Sequence, residues 1–399
     1  MIEAGPAGSP VLPRYGAGAL CDVLPSAAAA LGVPGFDDVL GLPAVRSVCV
    51  LLVDGLGWNL LRRNAADAPF LTSIADGTAP ITAGFPSTTA TSLTSLGTGL
   101  PPGQHGVLGY QVAIPGAGRL LDALRWDPDI DPLAWQPQAT VFDRAAGHGR
   151  GVFHVLPGAF RGSGLTVAGL RGARLVAAET PGDLVAGVAT ALRHDGQTLV
   201  YAYHSELDKT GHLRGCGSDA WRHQLAITDR LVERVASILP PDSLLLVTGD
   251  HGMVDVPAER RIDADNHPDL RDGVVLLGGE PRARHVYTVP GAAADTLATW
   301  RGVLDGEAWV VSREDAVERG WFGPAVRPEL LERIGDVVAA AGTDIGVVAS
   351  VAEPGLTALP GQHGSLTADE QLVPLLVVPG PGTDQPTASG PAAEPDRGA

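Results

Sequence analysis

Seven residues of this chain carry side chains that could do chemistry together: Asp54, Thr89, Asp208, His212, Asp250, His251 and His363. Three carboxylates and three imidazoles are donors that suit zinc or manganese. A threonine hydroxyl is a poor nucleophile at neutral pH, but a bound metal makes its alkoxide accessible. Each residue alone has a plainer reading. Asp54 follows Val50-Leu51-Leu52-Val53 and could simply cap a helix. Thr89 lies in Phe85-Pro86-Ser87-Thr88-Thr89-Ala90-Thr91, a hydroxyl-rich helix start whose free N–H groups and dipole favour an anion. Asp208 and His212 stand four residues apart after Tyr201-Ala202-Tyr203, with His204 and Glu206 beside them as outer or solvated groups. Asp250-His251 ends the apolar run that starts at Ser243, and His363 sits between glycines in Pro360-Gly361-Gln362-His363-Gly364. Chance readily supplies any one of these, but not all seven in this order.

The elements that must position them are legible as hydrophobic runs. Short, β-branched, continuously apolar stretches at 45–53, 151–155, 198–203, 243–247 and 373–378 predict strands of a parallel sheet covered on both faces. Helical patterns occupy 89–97, 181–193 and 218–239. The alternation predicts an α/β fold, a doubly wound three-layer α/β/α sandwich with a mostly parallel central sheet. Ligands of such sheets bind at the C-terminal edge of the strands, where Asp54 and Asp250-His251 fall. Residues 256–350 carry their own short strands (274–277, 286–289, 309–311) and helices (292–300, 328–334), which predicts a small inserted cap with a separate sheet. The catalytic domain is expected over 17–378, with a poorly ordered N-terminus at 1–16 and a disordered Pro- and Gly-rich tail at 379–399.

Composition narrows the function classes. The chain has 399 residues, enough for one large core with an insertion, and a net charge of −17. That charge argues against nonspecific binding to nucleic-acid polymers or anionic membrane, but not against a phosphate substrate, since bound cations reverse the local field. No apolar run reaches membrane-spanning length, and the first residues lack a basic stretch followed by an apolar one. Three scattered cysteines (Cys21, Cys49 and Cys216) give the expectation of a cytoplasmic protein without disulfides. The acidic loops 126–132 and 263–267 lack the glycine and terminal glutamate of a calcium-binding EF-hand.

The pattern resembles the alkaline phosphatase superfamily, and within it the nucleotide pyrophosphatase/phosphodiesterase branch. The resemblance is carried by Asp54-Gly55, by Thr98-Gly99-Leu100-Pro101-Pro102-Gly103-Gln104-His105-Gly106, by Asp208 with Gly211-His212, by Asp250-His251-Gly252-Met253 and by Gln362-His363-Gly364. It implies one zinc held by Asp208, His212 and His363. It implies a second held by Asp54, Asp250 and His251, with the hydroxyl of the nucleophile bound to it. The branch places that nucleophile nine residues before the Thr of the Thr-Gly pair. That is Thr89 here, with Thr88 as the neighbouring candidate, and His105 as a structural residue. Manganese is the alternative metal. The implied enzyme is a phosphodiesterase or nucleotide pyrophosphatase acting on a small-molecule phosphate ester or nucleotide through a covalent threonyl intermediate. A phosphomonoesterase, a phosphonate hydrolase and an inactive metal-binding relative are the alternatives. Two departures bear on substrate. The Asn expected four residues beyond the His105-Gly106 pair is missing, with Gly109 and Tyr110 in its place, and the aromatic residue expected after the nucleophile is Ala90. Tyr110 and Arg125 are the candidate substrate-binding substitutes, although Arg125 reads equally well as a surface ion-pair residue.

Overall fold

The computed structural model describes residues 8–383. Five strands of the central sheet come before the insertion: β1 (Ser47–Val53), β2 (Gly151–Leu156), β3 (Arg174–Ala177), β4 (Thr198–His204) and β5 (Ser243–Thr248). A later segment contributes β6 (Val274–Glu280), β7 (Ala283–Thr288), β8 (Ala308–Ser312) and β9 (Val337–Ala341), and the chain returns with β10 (Leu375–Pro379). The central sheet has the order β10-β5-β1-β4-β2-β3. Its pairings are parallel except that of β10 with β5. This is the expected doubly wound, mostly parallel sandwich.

Why β1 lies at the centre follows from its side chains. All seven of its residues are buried, and they alternate between two cores, as a period of two requires. Val48, Val50 and Leu52 enter a core with Leu24, Leu93, Leu96 and Phe142. Cys49, Leu51 and Val53 enter the opposite one with Val188, Trp221, Leu225 and Val232. Helices α1 (Thr89–Thr98), α2 (Pro181–Leu192), α3 (Glu206–Arg214) and α4 (Asp219–Ala236) cover these faces or follow the strands. In α4 the Ser218 hydroxyl caps the first turn by accepting from Trp221 N at 3.2 Å. Its buried face carries Trp221, Leu225, Val232 and Val235, each worth ~1.5–3 kcal/mol of burial. Ile227 lies off that face and is exposed.

The segment between β5 and β10 forms a four-stranded antiparallel sheet, β6-β7-β9-β8. Part of it closes its own small core around Trp300 and Leu304. The rest, including Ala283, Trp321, Phe322, Val338 and Ala340, joins the first main core. This sheet is therefore welded to the main body rather than perched on it.

The described parts of both ends make contacts with the body of the protein. The described part of 1–16 is tied down: Val11 N donates to Leu366 O at 2.8 Å, and the Tyr15 hydroxyl donates to Trp321 O at 2.9 Å. Pro379 ends β10, and Gly380 N bonds Ser243 O at 2.8 Å, so the sheet runs past the expected start of the tail. The expectation for 384–399 lies outside the described residues. No described helix is long and apolar enough to cross a membrane.

Candidate active site

The parallel strands deliver the candidate ligands to one edge. Asp54 follows β1 directly, and Asp250 and His251 lie just beyond β5. Asp208 occupies the first turn of α3, which follows β4, and His212 stands one helical turn later on the same face. His363 arrives from the loop before β10. The approach is close because of two glycines. At Gly55 (φ +74°) a Cβ would sit 2.9 Å from Asp208 Cα, and at Gly361 a Cβ would sit 2.3 Å from Gly211 O. Only Gly allows both contacts without displacing backbone.

The three imidazoles are oriented alike. Nδ1 of His212 donates to Gly361 O at 2.8 Å, that of His251 to Gly252 O at 3.1 Å, and that of His363 to Ser87 O at 3.0 Å. A carbonyl only accepts, so each ring keeps its proton on Nδ1 and presents the Nε2 lone pair to the cluster. Burial holds His251 neutral, with its pKa down at about 4, and pushes that of His363 down as well.

His212 Nε2 and His363 Nε2 are 3.2 Å apart. Around them, His212 Nε2 lies 3.5 Å from Asp208 Oδ2. His251 Nε2 lies 3.5 Å from Asp54 Oδ1 and 3.5 Å from Asp250 Oδ2. Two ligands on a zinc tetrahedron with bonds of about 2.0 Å are separated by roughly 3.3 Å. The observed separations are close to such edges. Asp54 Oδ1, Asp208 Oδ1 and Asp250 Oδ2 are buried without a hydrogen-bond partner. Among the described residues no Lys or Arg pairs with any of these three carboxylates. Burial and mutual repulsion raise the pKa of Asp54 and Asp208, and burial raises that of Asp250. Orphaned oxygens, facing lone pairs and unbalanced negative charge all fit a site built for cations.

Two groups of side chains bring ligand atoms within 4.8 Å of one another: Asp208, His212 and His363, and Asp54, Asp208 and His251. Asp208 thus belongs to both, while Asp250 meets the second through its 3.5 Å approach to His251.

The tandem threonines separate clearly. Thr89 Oγ1 lies 3.3 Å from His251 Nε2, inside the cluster. Thr88 Oγ1 instead donates to the buried carboxylate of Glu280 at 2.9 Å. Thr88 is the N-cap residue of α1, but its side chain makes no capping bond, so the first-turn N–H groups stay free to face an anion.

Other sequence candidates fall elsewhere. The Tyr110 hydroxyl donates to Asp122 at 3.0 Å. The Arg125 side chain is 87% exposed, 3.9 Å from the same Asp122, and among the described residues it has no contact with the ligand cluster. Arg125 thus lies in a surface ion pair, of little worth to stability. His204 faces Thr228 at 3.5 Å, and Glu206 pairs with Lys209 at 3.3 Å, both away from the cluster. His105 is buried, receives Val107 N on Nδ1 at 3.1 Å and meets Ser95 through Nε2 at 2.9 Å.

Two site residues were missed. The Tyr203 hydroxyl donates to Asp54 Oδ2. The signal was positional, because Tyr203 is level with Leu52 of β1 near the strand ends. Glu280, whose carboxylate also lies 3.7 Å from His363 Nδ1, had no sequence signal.

The doubly wound sheet with Asp and His candidate ligand groups on its C-terminal edge is the arrangement that the resemblance to the alkaline phosphatase superfamily implies. Within it, the chain belongs to the Type I phosphodiesterase / nucleotide pyrophosphatase family, which matches over residues 48–366. Murine ectonucleotide pyrophosphatase / phosphodiesterase 5 shares the fold at 20% identity and a TM-score of 0.67, covering 84% of this chain and 88% of that one. An inactive variant of the murine protein, in complex with AMP, aligns with a TM-score of 0.65 at 19% identity over 84% and 88% of the two chains. Phosphonoacetate hydrolase from Sinorhizobium meliloti 1021, in complex with phosphonoformate, does so at 19% identity and a TM-score of 0.65, covering 86% and 92%. No curated protein sequence matches this chain.

Proposed function

We propose that this protein is a two-zinc phosphohydrolase that cleaves phosphodiester or pyrophosphate bonds through a covalent intermediate on Thr89. The observation that carries the reading is the 3.3 Å approach of Thr89 Oγ1 to His251 Nε2. It matches the separations among the ligand atoms themselves, so the hydroxyl occupies a ligand position. Asp54, Asp250 and His251 would hold the metal beside Thr89, and Asp208, His212 and His363 the other. Bound there, the two metals would lower the pKa of the hydroxyl and offset charge on the attacking and leaving oxygens. Manganese suits the same donors.

The chain's own groups do the rest. Thr89 Oγ gives up its proton to solvent and attacks phosphorus, forming a new O–P bond as the P–O bond to the leaving group breaks and the departing oxygen takes up a proton from solvent. The free N–H groups at the start of α1 stabilise the phosphoryl oxygens. A water then adds to phosphorus and breaks the Thr89 Oγ–P bond, which restores the hydroxyl and releases the phosphate product. Tyr203, bonded to Asp54 Oδ2, fixes which oxygen of that carboxylate turns toward the metal.

A nucleotide substrate is supported by the family and by the AMP bound to the murine relative. A phosphonate is the second reading. Ala90 and Gly109 leave out the aromatic and Asn contacts of the nucleotide branch, and the bacterial relative of similar fold is a phosphonoacetate hydrolase. A reducing, cytoplasmic setting is part of the proposal, supported by three free, buried cysteines.

The test compares kcat/KM for bis-p-nitrophenyl phosphate, p-nitrophenyl phosphate and phosphonoacetate on zinc-loaded protein. Diester preference supports the main reading, monoester preference moves the protein to the phosphatases, and turnover of phosphonoacetate alone favours the second. No turnover with two metals bound would indicate a catalytically retired relative.

A further inference from the structure

Glu280 is a buried carboxylate that the reaction above does not use. It ends β6 in the inserted sheet, 192 residues from Thr88 in sequence, and is 5% exposed. One oxygen, Oε2, accepts the Thr88 hydroxyl at 2.9 Å. The same oxygen lies 3.7 Å from Nδ1 of His363. The loop around His363 is shaped to admit this side chain: at Gly364 (φ +133°) a Cβ would come within 2.9 Å of the Glu280 carboxyl carbon. Two residues on, Arg282 is also fully buried and pairs with Glu370 at 2.7 Å. Glu370 in turn accepts Ser365 N at 3.0 Å through its carboxylate, and its carbonyl receives Gly252 N at 2.9 Å. The tip of the β6-β7 hairpin therefore holds the Thr88 side chain directly and, through the Arg282–Glu370 pair, reaches the backbone N–H groups of Ser365 and Gly252, near His363 and beside His251.

We propose that Glu280 is a positioning residue for the nucleophile, setting the first turn of α1 through the Thr88 hydroxyl so that Thr89 Oγ points into the metal cluster. The proposal rests on the assignment of Thr89 as nucleophile. Burying a carboxylate is costly unless its hydrogen bonds repay it, so its occurrence at the entry to α1 needs a function that an apolar residue would not serve. Threonine at an N-cap ordinarily turns its hydroxyl back onto its own helix. Here Glu280 captures that hydroxyl, which frees the first-turn N–H groups and fixes the backbone one residue before the nucleophile. Misplacement of a reacting atom by about 1 Å can cost ~100-fold in rate, which sets the scale of the expected effect.

The test is a double-mutant cycle on the zinc-loaded full chain, using Glu280→Ala, Thr88→Val and the pair, with Glu280→Gln as the conservative variant. Activity on bis-p-nitrophenyl phosphate, metal content by mass spectrometry and thermal unfolding are read for each. Glu280→Ala and Thr88→Val should each lower kcat by ~10–100-fold, with KM changed less than about threefold and two metals retained. The double variant should be no worse than the worse single one, since both remove one interaction. Glu280→Gln should recover most of the rate, because its amide oxygen still accepts from Thr88. Multiplying losses in the double variant, a Gln variant as poor as Ala, or loss of metal with normal kcat per bound metal would each overturn the proposal. Failure of the underlying assignment looks different, because Thr89→Ala would then retain activity whatever Glu280 does.

Discussion

The central sheet and the inserted sheet serve the same site by different means. The central sheet carries candidate ligands at its strand ends, where Asp54, Asp250 and His251 reach one edge and Asp208 joins them from the helix after β4. The inserted sheet supplies no ligand, and its hairpin holds Thr88 and the loops beside His251 and His363 from outside. Strand ends impose position through regular geometry, whereas the insertion imposes it through buried charged contacts made only after the two parts pack. The first kind of residue should fail by losing metal or chemistry. The second should fail by losing geometry with the metal still bound.

The largest expected effect tests the first half of that contrast. Thr89→Ala should lower kcat by at least ~1,000-fold with both metals retained, measured by steady-state kinetics and metal analysis. A residual rate near wild type would move the nucleophile elsewhere and dissolve the distinction between Thr89 inside the cluster and Thr88 outside it.

Metal affinity should fall as pH falls, and the sign follows from the shifts. Burial and repulsion raise the pKa of Asp54 and Asp208, and burial raises that of Asp250, so a metal must displace protons from these carboxyls. His251 stays neutral down to about 4 and releases none near neutrality. Apparent affinity should therefore drop by up to about tenfold per pH unit for each proton displaced, and calorimetry in two buffers should register proton release on zinc binding. Binding without proton release would contradict the cluster's electrostatics.

Gly55→Ala should act more gently, through backbone. The positive φ and the 2.9 Å approach to Asp208 predict a destabilisation of ~1–3 kcal/mol and weaker zinc binding, read by denaturant unfolding with and without metal. An unchanged Kd for zinc would mean that the β1–α3 contact does not set ligand spacing. The smallest effect belongs to Arg125→Ala. Its exposed side chain predicts a change in kcat/KM of less than about twofold for any substrate, and a larger one would show a substrate reaching further out than the cluster.

The same contrast explains what the sequence made legible. The runs that became β1, β4 and β5 are apolar throughout because both faces of the sheet are covered, so strands and their ligand-bearing ends could be read together. Edge strand β3 escaped notice because it spans only Arg174–Ala177 and opens on a charged residue, which leaves a very short apolar run. Helix α3 was legible only as an Asp-His spacing, since its residues are mostly polar. Tyr203 read as one more strand residue, and its bond to Asp54 depends on the register of β4 against β1, which spacing does not reveal. Glu280 lies beyond the strand expected at 274–277 and carried no sequence signal. Its burial is a product of tertiary packing between segments far apart in sequence, as is that of Arg282.

Anomalous X-ray scattering at the zinc edge, on crystals of zinc-loaded protein, tests the central claim most directly. The account predicts two peaks about 4 Å apart. One should lie against Asp208, His212 and His363, and the other against Asp54, Asp250 and His251 with Thr89 Oγ in its coordination sphere. A single peak, or a second metal with Thr89 turned away from it, would contradict the account.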